Sequence, residues 1–140
     1  MVGIGHIFYR EISKFADAVP DYLRHAADEE VHMCSSNLKL PTICVRWLEE
    51  ISTDEYIKTL RETKTFCVDS KTGMDGCHIN YTEDECDIFV VARKGIMTID
   101  RVRHVVRHEC RHAWQIFYQP PGYDDQSRIE IDAENYANCY

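Results

Sequence analysis

The chain has 140 residues with a formal net charge of −8; 44% of them are hydrophobic and 29% charged. This length suits one domain, residues 1–140, that can bury its own core. Because the net charge is negative and the basic residues cluster in one segment, we expect no nucleic-acid partner. No apolar run is long enough for a membrane span, and the first residues lack the features of a signal peptide. The sequence therefore predicts a cytoplasmic protein with no membrane partner.

The first two thirds of the chain alternate between helical and extended patterns. Apolar residues at helical spacing predict helices, and runs of β-branched and aromatic residues predict strands. In chain order the predicted elements are helices over 4–19 and 21–33, a strand over 41–48, a short helix over 52–63, and strands over 65–68, 77–81 and 86–92. The last two strands are separated by a short polar segment, which predicts a hairpin.

Seven cysteines are scattered along the chain without a Cys-x-x-Cys pair. Such cysteines are typical of a reducing compartment, where most are buried as small hydrophobic residues. Cys77 and Cys86, which flank the predicted hairpin, are the only pair placed for a bridge. We expect Cys110 to face away from the histidine pair at positions 108 and 112.

The segment from Thr98 to Gln119 predicts the longest helix. Thr98 and Asp100 are both suitable N-caps, and Pro120 and Pro121 end the helix. Its apolar residues recur at helical spacing. Four arginines on the other side are expected to form a solvated face: Arg101, Arg103, Arg107 and Arg111. A final helix over 127–138 is predicted with Asp125 or Ser127 as its cap.

The long helix carries His108-Glu109-x-x-His112. Residues four apart lie about 40° apart around a helix, so both imidazoles project from one face. Glu109 lies about 100° further round, beside the ion that such a pair binds. Two imidazoles suit zinc, and the adjacent carboxylate can take a proton from a water that the metal activates. His104 shares this face, but it is about 12 Å from His112 along the axis and cannot bind the same ion.

Three acids of the last helix compete to be the third ligand. Glu130 and Glu134 lie about 40° apart on one face, whereas Asp132 is about 200° from Glu130 and points the other way. The loss of Asp132 is therefore expected to affect metal binding least. Helical geometry alone leaves the choice between Glu130 and Glu134 open.

The two motifs together resemble those of the gluzincin metallopeptidases, especially the minimal forms and the ImmA/IrrE-type group. In that pattern the two histidines are followed by Glu-x-x-Ala and an aromatic-Ala pair, matched here by Glu130-x-x-Ala133 and Tyr136-Ala137. The resemblance implies Glu130 as the third ligand and Glu134 as the acceptor of the free N–H of a ligand histidine.

The resemblance also implies an α+β, zincin-like fold. A small sheet of three or four strands would pack on the active-site helix and on the C-terminal ligand helix. One strand of the 77–92 hairpin would be the edge that pairs with an extended peptide.

The activity implied is that of a zinc-dependent endopeptidase acting on a specific protein partner, with Glu109 as general base. The alternative is a non-catalytic, metal-stabilised regulatory binding module. Glu109 discriminates between the two, because a structural zinc site has no need of that carboxylate. The sequence leaves the oligomeric state open, and it leaves five candidates for holding the oxyanion: His78, Tyr81, Tyr118, Tyr123 and Tyr136.

Overall fold

The computed structural model describes residues 5–13, 19–70, 72–80, 85–93, 97–122 and 125–139. Within these ranges the elements are β1 (His6–Ile12), α1 (Asp21–Leu38), β2 (Ile43–Ile51), α2 (Thr53–Thr59), β3 (Thr65–Asp69), β4 (Gly76–Asn80), β5 (Cys86–Val91), α3 (Ile99–Tyr118) and α4 (Gln126–Asn138). None of these described helices is both long and apolar enough to cross a membrane.

The five strands form one mixed sheet in the order β3-β1-β2-β5-β4. The β2–β5 pair is parallel and the other neighbours are antiparallel. The α+β class is confirmed, but the sheet is larger than the three or four strands predicted. The antiparallel pairing of β4 and β5 is also confirmed. It leaves β4 at an edge of the sheet, as expected for one strand of the 77–92 hairpin.

The extra strand is β1, where the sequence predicted a helix over residues 4–19. Phe8 and Tyr9 are adjacent and both buried, which a strand in the middle of a sheet allows because neighbouring side chains point to opposite faces. Phe8 packs on Tyr56 of α2, with ring centroids 4.5 Å apart. The Tyr9 hydroxyl accepts a hydrogen bond from the Met74 N–H on the other face. The helix prediction is therefore wrong over β1, and residues 14–18 lie outside the described residues.

The core lies on both faces of the sheet, and β5 contributes to each. Ile88 and Val90 belong to a cluster with α1 and α3, whereas Phe89 and Val91 belong to a second cluster on the opposite face with Tyr9. All six residues of β5 are buried. This strand fixes the position of α3 relative to the sheet and of β4 beside it.

Helix α3 begins and ends as its sequence predicts. The Thr98 side chain accepts a hydrogen bond from the backbone N–H of Arg101, which satisfies a donor of the first turn. Gln119, at φ 41°, adopts the left-handed conformation at the other end, and Pro120 follows. The site motif is therefore held in the middle of a capped helix.

Three of the α3 arginines are not the solvated face that was predicted. Arg107 and Arg103 both donate to Glu30, a buried residue of α1. Arg111 donates to Asp132 of α4 at 2.7 and 3.2 Å. The prediction was wrong because helices on both sides of α3 present acids to it, and a single helix pattern cannot reveal its neighbours.

All seven cysteines lie in the described part of the chain and are free thiols. Cys34, Cys86 and Cys110 are buried, but three others are exposed, so the prediction that most are buried is wrong. Cys110 is fully buried in the core, as expected for a residue that faces away from the histidine pair. Cys77 lies opposite Phe89 rather than Cys86 in the β4–β5 register, so the pair that the sequence singled out is not bridged.

Gly76 sets how closely β4 approaches α3. A Cβ on Gly76 would lie 2.6 Å from Val105 Cγ1 and 2.8 Å from the Phe89 carbonyl oxygen. We expect Gly76→Ala to lower the free energy of unfolding, measured by urea denaturation, by about 1–3 kcal/mol, because the added methyl group overpacks the contact between β4 and α3. Gly73→Ala is the control, since its Cβ would meet only the ends of the flexible side chains of Arg93 and Glu50. Equal stability of the two variants would contradict this close approach.

Candidate metal centre

His108 and His112 lie one turn apart on α3 and face each other across a T-shaped contact. Their Nε2 atoms are 3.1 Å apart. His112 is buried and His108 is partly buried. The helix thus presents two imidazole nitrogens to one point, as the spacing of the motif predicts.

Glu130 completes the group from α4. Its Oε2 is 3.2 Å from Nε2 of His108, and its Oε1 is 3.2 Å from Nε2 of His112. About half of the Glu130 side chain remains exposed. The three residues therefore bring one ligand atom each to within 4.8 Å of the others and could hold a metal ion.

The other ring nitrogen of each histidine is already engaged. Nδ1 of His108 is 2.9 Å from Glu134 Oε2, and Nδ1 of His112 is 2.9 Å from Gln115 Oε1. Both partners can accept a hydrogen bond from Nδ1, and in a neutral imidazole with its proton on Nδ1 the lone pair lies on Nε2. In a tetrahedral zinc site with bonds of about 2.0–2.1 Å, two nitrogens are about 3.3 Å apart. The donors present therefore fit the expected metal in type and spacing.

Glu134 lies between two histidines. Its Oε2 contacts His108, and its Oε1 is 2.8 Å from Nε2 of His104. Burial raises the pKa of the Glu134 carboxyl, but the hydrogen bond from His108 and the charges of His104 and His108 outweigh burial and lower the pKa overall. The expected contact between the Glu134 carboxylate and a ligand histidine is therefore present. His104 contacts Glu134 and not the grouped ligand atoms.

The contact to Glu134 predicts an effect on zinc affinity. We expect Glu134→Ala to weaken zinc binding by about 10–100-fold, because His108 loses the acceptor that orients its ring. Competition with a chromogenic chelator measures the affinity. Asn135→Ala, on an exposed position of the same helix, should bind zinc as the wild type does. Wild-type zinc affinity of Glu134→Ala would contradict the proposed orientation of the His108 ring by Glu134.

Glu109 follows His108 in the chain and is buried against β4. Its Oε1 is 3.3 Å from Nδ1 of His78, an edge-strand residue. The His78 ring also stacks on His112, with centroids 5.4 Å apart. Glu109 is not one of the three grouped ligand residues. The carboxylate and two imidazoles therefore form the wall of the site below the strand edge.

An open cleft of about 900 Å³ runs across this group. Its walls are the start of β4, the second half of α3 and the first half of α4. The apolar part of the cleft lies beyond the ligands, at Ile116, Ile129 and the Pro120–Pro121 turn. The sheet edge, the ligand residues and an apolar wall thus share one groove.

Among the described candidates for holding an oxyanion, His78 alone lines the cleft. The Tyr118 hydroxyl donates to the Lys39 carbonyl at the end of α1. Tyr136 packs against the core cluster. Tyr81 and Tyr123 lie outside the described residues.

Cys77 belongs to the wall of the cleft, but its side chain packs with the Phe89 cluster on the opposite face of the sheet. Burial, followed by the charge of Glu109, raises the pKa of its thiol to about 12. Because only the thiolate is an effective nucleophile, this cysteine is inert at neutral pH. The chemistry of the cleft therefore rests on the metal-ligand group and Glu109.

Gln115 is the site residue that the sequence did not identify. It is buried three residues after His112, on the same side of α3, and its Oε1 is the acceptor for His112 Nδ1. The sequence did contain a signal for Gln115. It is a polar residue at a core position of an amphipathic helix, one turn from a candidate ligand.

Comparisons with protein-family models, with curated proteins and with solved structures found no match to this chain.

Proposed function

We propose that this protein is a zinc-dependent endopeptidase. The observation that carries the proposal is the position of Glu109: its buried carboxylate lines the same cleft as His108, His112 and Glu130. His108, His112 and Glu130 would hold the ion. Three protein ligands with one open position are the pattern of catalytic rather than structural zinc.

When bound, zinc would acidify a water molecule and polarise the carbonyl group of the scissile peptide bond. Glu109 would accept the proton of that water on a carboxylate oxygen and return it to the leaving amine. His78, at 3.3 Å from Glu109, would keep the carboxylate directed along the cleft and would face the substrate carbonyl from the strand side.

Two imidazoles and a carboxylate are also a donor set for iron(II). Glu109 favours hydrolysis, because an oxygenase has no need of a buried carboxylate directly after its first histidine. The Cys77 thiol, which packs with the Phe89 cluster and has a raised pKa, argues against a cysteine-dependent hydrolase in the same cleft.

The proposal of a peptide substrate rests on the edge strand. β4 has β5 on one side and the cleft on the other, so an extended peptide could pair with it by strand addition. The apolar wall at Ile116 and Ile129 would receive a side chain of that peptide. That the natural substrate is one specific protein partner stays a prediction of the sequence.

The test is digestion of a proteome-derived peptide library, read by mass spectrometry. We expect zinc-loaded protein to generate new peptide termini, chelation to abolish them and added zinc to restore them. If the protein binds zinc through these residues and leaves the whole library intact, the endopeptidase proposal fails. The non-catalytic metal-stabilised module then becomes the better account.

A further inference from the structure

The side chains behind His112 form a polar group between α3 and α4. Gln115 accepts from His112 Nδ1 through Oε1 at 2.9 Å. Its Nε2 donates to Asp132 Oδ2 at 2.9 Å and to the Ile129 carbonyl at 3.0 Å. Gln115 is thus hydrogen-bonded at both ends of its amide while buried in the helix interface.

These contacts fix which way the Gln115 amide points. A carboxylate and a backbone carbonyl can only accept hydrogen bonds, so the amide NH₂ must face Asp132 and Ile129. The amide oxygen is then left to face His112, and the histidine must carry its proton on Nδ1. In a neutral His112 the lone pair then lies on Nε2, the nitrogen that is 3.2 Å from Glu130 Oε1 in the ligand group.

Asp132 is itself held in place. Arg111 donates to both of its carboxylate oxygens, and the guanidinium lies 3.8 Å from the Trp114 ring centroid. The Asp132 and Arg111 side chains are 20% and 18% exposed. A charged pair that is largely removed from water holds its geometry better than an exposed pair does.

We propose that Gln115 and Asp132 are positioning residues that hold His112 in the tautomer that binds metal. The inference rests on the metal site of the proposed function and assigns a role to Asp132, which the sequence placed on the far side of α4. In this proposal α4 has two roles. Helix α4 contributes Glu130 as a ligand and, two residues later, the carboxylate that orients Gln115.

The two ligand histidines are then supported differently. His108 has a carboxylate partner, Glu134, whereas His112 has a neutral amide whose direction a carboxylate sets. Outer partners of this kind typically change metal affinity by 10–100-fold when they are lost. If Asp132 acts through Gln115, the effects of removing the two residues must not add.

The test is a double-mutant cycle on zinc affinity with Gln115→Met, Asp132→Ala and the double variant. Gln115→Met keeps the size of the side chain and removes the acceptor, so we expect zinc affinity to fall by about 10–100-fold. Asp132→Ala should weaken binding less, since the amide can still point correctly part of the time. The double variant should bind as Gln115→Met does. Additive losses, or wild-type affinity of Gln115→Met, would overturn the proposal.

A second readout does not require metal. In the zinc-free protein, nitrogen NMR at a pH where His112 is neutral should show its proton on Nδ1, and a mixture of tautomers in Gln115→Met. An unchanged tautomer in the variant would also overturn the proposal. If the wild type binds no zinc, the proposed function fails, whereas the tautomer still tests the role of Gln115. Should Asp132→Ala fail to fold, Gln115→Met decides, because it leaves the Arg111–Asp132 pair intact.

Discussion

Glu109→Gln is expected to lower kcat for a cleaved library peptide by about 10²–10⁴-fold, the usual contribution of a positioned general base. Glutamine keeps the shape of the side chain and its contact with His78, but it cannot take up a proton. Glu109 is not a member of the ligand group, so zinc content should remain at the wild-type level. KM should change little, because the peptide contacts proposed for β4 are untouched.

Two measurements on Glu109→Gln separate loss of the base from damage to the site. Elemental analysis reports zinc, and steady-state kinetics on one identified peptide report kcat and KM. Glu62→Gln, the same exchange at an exposed position after α2, should have wild-type kinetics. Retention of most of the turnover by Glu109→Gln would exclude the proposed proton transfer.

Glu30→Ala should lower the free energy of unfolding by about 3–5 kcal/mol, the range found when one partner of a buried ion pair is removed. Glu30 is 2% exposed and accepts from Arg107 Nε at 2.6 Å and from Arg103 Nη1 at 3.0 Å. Without the carboxylate, both guanidinium groups lose their buried partner at the α1–α3 interface. Arg107 also donates to the Ala137 carbonyl, so the change reaches α4.

The neighbouring Glu29 provides a matched control for Glu30. It accepts from Arg103 at 3.2 Å, but half of its side chain is exposed. Exposed ion pairs contribute about 0.2–1 kcal/mol, so Glu29→Ala should change stability by no more than that. Urea denaturation of both variants measures the difference. Similar losses of unfolding free energy in Glu30→Ala and Glu29→Ala would contradict the claim that burial makes the Glu30 ion pairs strongly stabilising.

The helices around the site were predictable because each carries its own signals. Thr98 caps α3 and Asp125 caps α4, as their sequences suggest. The apolar stripe of α3 is continuous through the motif. Local capping and periodicity therefore sufficed to place both histidines on one helix and Glu130 on the next.

Strand β1 could not be recognised in the same way. Its apolar residues also fit a helical period, and the choice is made by pairing with β2 and β3, which lie about 40 and 60 residues further along the chain. Trp47 and Phe66 lie in those neighbours, opposite Ile12 and Tyr9. Tertiary pairing thus overrode a local pattern.

The candidate site also has a part that local sequence predicts and a part that depends on tertiary packing. The grouping of His108, His112 and Glu130 follows from helical spacing together with the resemblance. The position of His78 in the cleft, which Tyr118 and Tyr136 do not line, and the contact of Gln115 with His112 depend on where β4 and α4 pack against α3. Those contacts join residues 31 and 17 positions apart, and no local pattern encodes them.

The number of zinc ions bound per chain tests the central claim most directly. Elemental analysis is made after equilibration with excess zinc and removal of the unbound metal. The wild type should retain one zinc ion per chain, and the His108→Ala/His112→Ala double variant should retain almost none. The His25→Ala/His32→Ala double variant, which removes two exposed histidines of α1, should retain one. No zinc in the wild type, or one per chain in His108→Ala/His112→Ala, would contradict the account.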